Sequence, residues 1–386
     1  MPRRKNSAKA KRIVSVIAVI TAIPVCIKLM LISLPYVNAA ASRAVLLSAG
    51  LAMPEGGQAA LKEPAGDTSS TVSVYVSDKE AASSAAAVDS SAASSDAASS
   101  VSVNVPSVIP DAGALPAEKR GGKILRQAYG GGGSGDLISL AKGQVRNGTS
   151  IATATVKQEL QKKLELTLTK TKEPQVLIYH THATESYETG TRDYYDKTFN
   201  SRSRDDSINM NMVGEQIAAY LEAAGIGVIH DKTQHDYPSY TGAYENSMKT
   251  IQKHLKEHPT IKVVLDVHRD AIQRQDGTRI APTATINGKK AAQIMIIAGA
   301  EKQGDITHDF YKNLRFAAYL QTELETAYPG LMRPVAFDYR KYNQSASPGA
   351  LLLEIGGHGN SLEEARYTGE LAGKAIAQAL LKLGAG

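Results

Sequence analysis

His180 and His182 stand two residues apart, and Glu185 follows three residues later, in the stretch Tyr179-His180-Thr181-His182-Ala183-Thr184-Glu185-Ser186. Imidazole and carboxylate are the donors of a catalytic zinc, which takes three protein ligands and keeps a fourth position for water. The cluster closes a short apolar run that begins at Val176, and two other apolar runs end in a similar way. Ile261–Val267 leads into His268, Arg269 and Asp270, while Leu351–Leu353 leads into Glu354. Together the three ends supply two kinds of metal donor and a further carboxylate for proton transfer. On a strand His180 and His182 share one face. A single His at a strand end is more often hydrogen-bonded than metal-bound, and Glu354 alone also reads as an ion-pair partner of Arg269 or Arg340. The recurrence of the pattern is what argues for a metal. Ser186 lacks a Gly-x-Ser-x-Gly setting. The single cysteine, Cys26, lies in an N-terminal apolar stretch, so the remainder of the chain has neither a thiol nucleophile nor a thiolate ligand.

Alternating elements must hold these residues. Val176–Tyr179, Gly227–Ile229, Ile261–Val267, Gln293–Ala298 and Leu351–Leu353 read as strands. Ile208–Ala224, Tyr244–Leu255, Phe310–Tyr328 and Leu362–Leu383 read as helices. Such alternation implies an α/β fold with a mostly parallel sheet flanked by helices. In those sheets ligands sit outside the carboxyl ends of strands, where the polar clusters fall. Tyr179, Tyr187 and Tyr244 are read as packing residues. The folded region is expected over 122–386, entered by segments at Ile124–Tyr129 and Asp136–Ala141. The glycine run between them has no Gly-Lys-Ser/Thr ending and is a turn, not a phosphate loop.

The chain has 386 residues and a formal net charge of +6. Six of its 44 basic residues (Arg3, Arg4, Lys5, Lys9, Lys11, Arg12) fall within the first twelve, and the remaining 38 equal the 38 acidic ones. No basic groove for nucleic acid is implied. Residues 1–12 read instead as a cytoplasmic tail ahead of a transmembrane helix over 13–36, oriented by the positive-inside rule. A cleaved signal peptide, with Val37-Asn38-Ala39-Ala40-Ala41 as the processing site, is the competing reading. Residues 37–121 form an extracytoplasmic linker. Its 65–116 portion, rich in Ser, Ala, Val and Asp, reads as a disordered tether spanning about 40 Å root-mean-square.

VLIYHTHATESY at 176–187, VVLDVHRDA at 263–271 and YNQSASPGALLLEIGGHGNSLEEA at 342–365 resemble the stage II sporulation protein P family. That family is similar to zinc-dependent N-acetylmuramoyl-L-alanine amidases, and the resemblance runs from about Ile124 to Leu383. It implies an amidase-like domain and a membrane-fixed peptidoglycan hydrolase of an endospore-forming bacterium, acting in septal wall remodelling and engulfment. The bond implied is the amide between the lactyl group of N-acetylmuramic acid and L-alanine, with peptide cross-links as an additional target in some members. Zn2+ is the implied cofactor, and stage II sporulation proteins D and M the implied partners. On this resemblance His268 corresponds to a late His ligand and Glu354 to the catalytic Glu. His180 is favoured as the first ligand, with His182 near the substrate, and Glu185 is favoured as the middle ligand over its rivals Asp205 and Asp206. Arg269 is placed with Glu354 in the catalytic set, helping to stabilise an oxyanion. A non-catalytic envelope scaffold and a general cell-separation amidase are the alternative readings.

Overall fold

The computed structural model describes residues 113–130, 135–168 and 171–384, and the expected tail, membrane helix and most of the linker lie outside them. No helix among the described residues is long and apolar enough to cross a membrane.

The strands are β1 (Arg120–Gln127), β2 (Asp136–Ser139), β3 (Gln144–Asn147), β4 (Pro174–Tyr179), β5 (Tyr194–Asp196), β6 (Gly227–His230), β7 (Val263–Asp270), β8 (Arg279–Ile286), β9 (Lys289–Ala292), β10 (Ile294–Ala300), β11 (Val335–Tyr339) and β12 (Gly349–Gly357). The helices are α1 (Thr153–Leu160), α2 (Met210–Ala223), α3 (Ala243–Glu257), α4 (Phe310–Ala327) and α5 (Leu362–Leu383). Eight strands form one sheet in the order β2-β3-β11-β10-β12-β7-β4-β6. Its neighbours are parallel except at β2-β3 and β10-β12, so the expected mostly parallel sheet is present.

Strands buried on both faces need apolar side chains at every position rather than alternation. β4 meets that need. Val176 and Ile178 face the large core beside Val213 and Ile217 of α2, whereas Leu177 and Tyr179 face a smaller core with Ile251 of α3. α4 and α5 complete the large-core side, with Phe316, Leu320 and Ile376 fully buried. α5 starts in a capping box: the Ser361 side chain accepts from the Glu364 amide while Glu364 accepts from the Ser361 amide.

A second sheet, β5-β1-β8-β9, is absent from the expected fold. β8 and β9 form a hairpin around Asn287 and Gly288, both at positive φ (49° and 76°), as a type I′ turn requires. β1 pairs in parallel with β8 and starts at Arg120, upstream of the expected boundary at 122.

Candidate metal centre

β4, β7 and β12 lie side by side and parallel, which brings the three chemically loaded stretches to one region of the sheet. β7 and β12 extend further than their apolar runs, so His268 and Glu354 stand within strands. The two are register partners, which puts their side chains on the same face. β4 stops at Tyr179, and residues 181–184 turn. The two-residue periodicity that would put His180 and His182 on one face is broken there.

The two histidines consequently part. His180 continues the face of Val176 and Ile178 towards α2. Its Nδ1–H donates to Val267 O at 2.8 Å, and its Nε2 lies 2.9 Å from His230 Nε2. Both ring nitrogens are engaged. Burial, then the neighbouring His230, lowers its pKa to about 3. His182 turns to the other cluster. Its ring packs edge-on against His268 with centroids 5.2 Å apart and stacks on Tyr240 at 4.3 Å. Its Nδ1 is buried without a hydrogen bond. Burial lowers its pKa to about 4, so the ring is neutral, as a metal ligand must be.

Glu185 completes the group. Its Oε2 lies 3.6 Å from His268 Nδ1 and accepts the Arg269 amide at 3.3 Å. Burial opposes its charge, but Arg269 and His268 outweigh that and hold it well below the carboxylate range. Asp266, two residues before His268 and on the same face, puts Oδ1 2.7 Å from His268 Nε2. Its carboxylate also accepts from the Thr181 amide and hydroxyl at 2.8 and 2.7 Å. Burial disfavours charge on His268, yet Asp266 and Glu185 raise its pKa well above the ordinary value. In this arrangement two carboxylates flank the His268 ring.

Glu354 is partly open to solvent, but its Oε2 is buried and unpaired. Burial, then Asp270, pushes it up to about 8. Asp270 is in turn held by Arg333 at 2.9 Å. His182 Nδ1 and Glu354 Oε2 are thus buried without a hydrogen bond, and His268 Nε2 meets only the Asp266 carboxylate. Such atoms are costly unless something binds them. The imidazoles of His182 and His268 and the Glu185 carboxylate are donors of the kind zinc takes, with ligand atoms spread wider than a bound ion would hold them.

The other expected site residues take different places. Arg269 is buried beneath the cluster, donating from Nε to Ser186 O at 2.7 Å and from Nη2 to Ser201 O at 2.9 Å. Its Nη1 makes no hydrogen bond and stands 4.0 Å from Glu185 Oε1. It braces the segment that carries Glu185 against Ser201. Asp205 and Asp206 sit on an exposed turn. Asp205 accepts from Ser207, while Asp206 accepts from Asn209, Asn211 and Gln234. Tyr179 and Tyr187 pack as expected, with Tyr187 Oη donating to Ile355 O. Tyr244 instead joins the site, stacked on Tyr342 at 5.2 Å and edge-on to His182 at 5.5 Å.

Sequence reading missed Asp236, which seats the His182 turn. Its Oδ2 accepts from Thr184 Oγ1 and from Arg202, and lies 4.0 Å from His182 Nδ1. No local pattern marks it. Asp266 carried a signal, because its separation of two from His268 puts both on one strand face.

The family model described as Stage II sporulation protein P matches residues 138–377. The chain belongs to the stage II sporulation protein P family. His182, Glu185, His268 and Glu354 all fall inside the match, whereas β1 precedes it. Stage II sporulation protein P of Bacillus subtilis (strain 168) is 32% identical over 200 residues, 49% of this chain and 47% of that protein. The chain thus spans about half the length of this curated relative. Among solved structures, N-acetylmuramoyl-L-alanine amidase AmiC2 of Nostoc punctiforme is 14% identical, covering 55% of this chain and 97% of that one at a TM-score of 0.34. The N-acetylmuramoyl-L-alanine amidase from Clostridium difficile 630 is 16% identical, with the same coverage and TM-score. These are distant likenesses, and the chemistry of this family member rests on its own residues.

Proposed function

We propose that this chain is a peptidoglycan hydrolase that uses zinc to cleave the amide between the lactyl group of N-acetylmuramic acid and L-alanine. Peptide cross-links are a second target. The setting is septal wall remodelling and engulfment during sporulation, with the domain held outside the cytoplasmic membrane by residues 13–36. Stage II sporulation proteins D and M are the proposed partners.

The observation that carries the reading is the convergence of His182, Glu185 and His268 beside Glu354, with His182 Nδ1 and Glu354 Oε2 buried without a hydrogen bond. His182, rather than His180, is the proposed first ligand, since both nitrogens of His180 are occupied. Glu185 is the proposed middle ligand. When bound, zinc supplies a Lewis acid and lowers the pKa of water towards neutrality. Glu354 takes a proton from the attacking water and returns it to the leaving amine. A carboxyl raised towards neutral pH suits both steps, and a neighbouring cation draws its pKa back down. Tyr240 and Tyr244 hold the His182 ring between them and keep water from its flank. Arg269 positions Glu185 without reaching the substrate.

The test is release of L-alanine amino groups from purified peptidoglycan by the full chain, with and without a chelator. Hydrolysis lost to the chelator and restored by zinc is the expected result. Unimpaired hydrolysis in chelator overturns the metal mechanism, and a zinc-loaded chain that never hydrolyses wall favours the envelope scaffold.

A further inference from the structure

Away from that centre, the last turn of α3 and its C-cap residue read His254-Leu255-Lys256-Glu257-His258. Positions i, i+3 and i+4 share one helix face, so the two imidazoles and the carboxylate cluster. One ligand atom from each lies within 4.8 Å of the others. On a tetrahedral zinc with bonds of about 2 Å, ligand atoms are roughly 3.3 Å apart. The exposed Glu257 and half-buried His258 need move little to close that difference.

Proximity of surface histidines alone would be weak. A second feature selects a cation. Asp231, just after β6, puts Oδ2 2.8 Å from His254 Nε2. A carboxylate only accepts, so Nε2–H donates to it and Nδ1 is the nitrogen left to face a metal. That Nδ1 is buried and makes no hydrogen bond. A carboxylate fixing the far nitrogen of an imidazole is the outer support that metal-bound histidines ordinarily have. The C-terminal end of a helix also carries a partial negative charge, favourable to a cation.

We propose that His254, Glu257 and His258 form an accessory site for a zinc-class divalent cation, supported by Asp231. The ion ties the end of α3 to the edge strand β6. α3 carries Tyr244 and Ser247, and Ser247 Oγ hydrogen-bonds Thr181 Oγ1 beneath the candidate centre. The accessory ion therefore stiffens one wall of that centre without taking part in its chemistry. It shares no residue with His182, Glu185 and His268, so the two sites stand or fall separately.

The experiment strips the full chain of metal, equilibrates it with buffered free zinc and counts zinc per chain by mass spectrometry. Native protein is expected to hold two. His258→Ala and Glu257→Gln each leave one, His182→Ala leaves one, and His182→Ala with His258→Ala leaves none. Asp231→Asn keeps the ligands but weakens the accessory site about 10–100-fold. The zinc-dependent rise in Tm of His182→Ala disappears when His258→Ala is added. Glu257 is exposed, so the Gln variant keeps the fold whatever happens to the others. Equal zinc content in native, His258→Ala and Glu257→Gln chains overturns the proposal, whatever His182→Ala does.

Discussion

His180 Nε2 lies 2.9 Å from His230 Nε2. Because His180 Nδ1–H donates to Val267 O, its Nε2 must accept, and His230 must donate. The other nitrogen of His230 lies 3.2 Å from Glu215 Oε2. This series of contacts, Val267–His180–His230–Glu215, links β7, β4, β6 and α2. It fixes the end of β4 just before the turn that delivers His182.

This assigns different losses to the two histidines of the opening motif. His182→Ala is expected to lose zinc from the main centre with a small change in Tm. His180→Ala is expected to keep that zinc but lose about 1–3 kcal/mol, because Val267 O and His230 Nε2 lose their side-chain partner. Metal analysis and thermal melts on both variants check this, and zinc loss in His180→Ala alone reverses the assignment.

Gly214 on α2 makes the His180–His230 contact possible. A Cβ there would sit 2.5 Å from both Nε2 atoms. Gly214→Ala normally gains helix propensity, but here overpacking costs about 1–3 kcal/mol. For a domain of this size each kcal/mol lowers Tm by about 2–4 °C. Calorimetry should show a fall, and a rise would mean that the pair relaxes freely.

Glu354→Gln keeps shape and volume while removing the proton acceptor. Hydrolysis is expected to fall about 10²–10⁴-fold, with zinc content unchanged. Turnover of purified wall alongside metal analysis separates this from ligand loss. Retained turnover would remove Glu354 from the mechanism.

Glu215 gives the fold a pH dependence. The His230 hydrogen bond, against a burial cost, and the Lys232 contact lower its pKa to about 2, from an unfolded value of about 4.3. A depressed carboxylate stabilises fully above its unfolded pKa, and that stability drains away as pH falls through the folded value. Glu215→Gln is thus expected to melt below the native chain at pH 6 and level with it near pH 2. The side chain is 45% exposed, so screening limits the gap to about 1–3 °C. A gap that persists at pH 2 would point to packing instead.

Much of this architecture is legible in the chain. β4, β7, β10 and β12 are apolar runs of β-branched and aliphatic residues, and α2 to α5 carry the helical period, so the α/β class and the convergence on three strands follow from local pattern. The small sheet was less legible, although Asn287-Gly288 between alternating residues is a strong hairpin signal. β1 was harder still, because its pairing with β8 joins residues more than 150 positions apart and leaves no local trace.

The order of residues already supplies the candidate donors, His and carboxylate without thiol, at the ends of apolar runs, with His268 and Glu354 on strands that become neighbours. Which histidine keeps a nitrogen without a hydrogen bond is set by folding. His180 and His182 are equivalent in type and nearly so in position. What separates them is that the strand ends at Tyr179, that Gly214 leaves room for an imidazole against α2, and that His230 arrives from β6 to occupy it. Asp236 and Arg202 then fold the turn so that His182 faces His268. Side-chain availability depends on neighbours distant in sequence, and no local spacing encodes it.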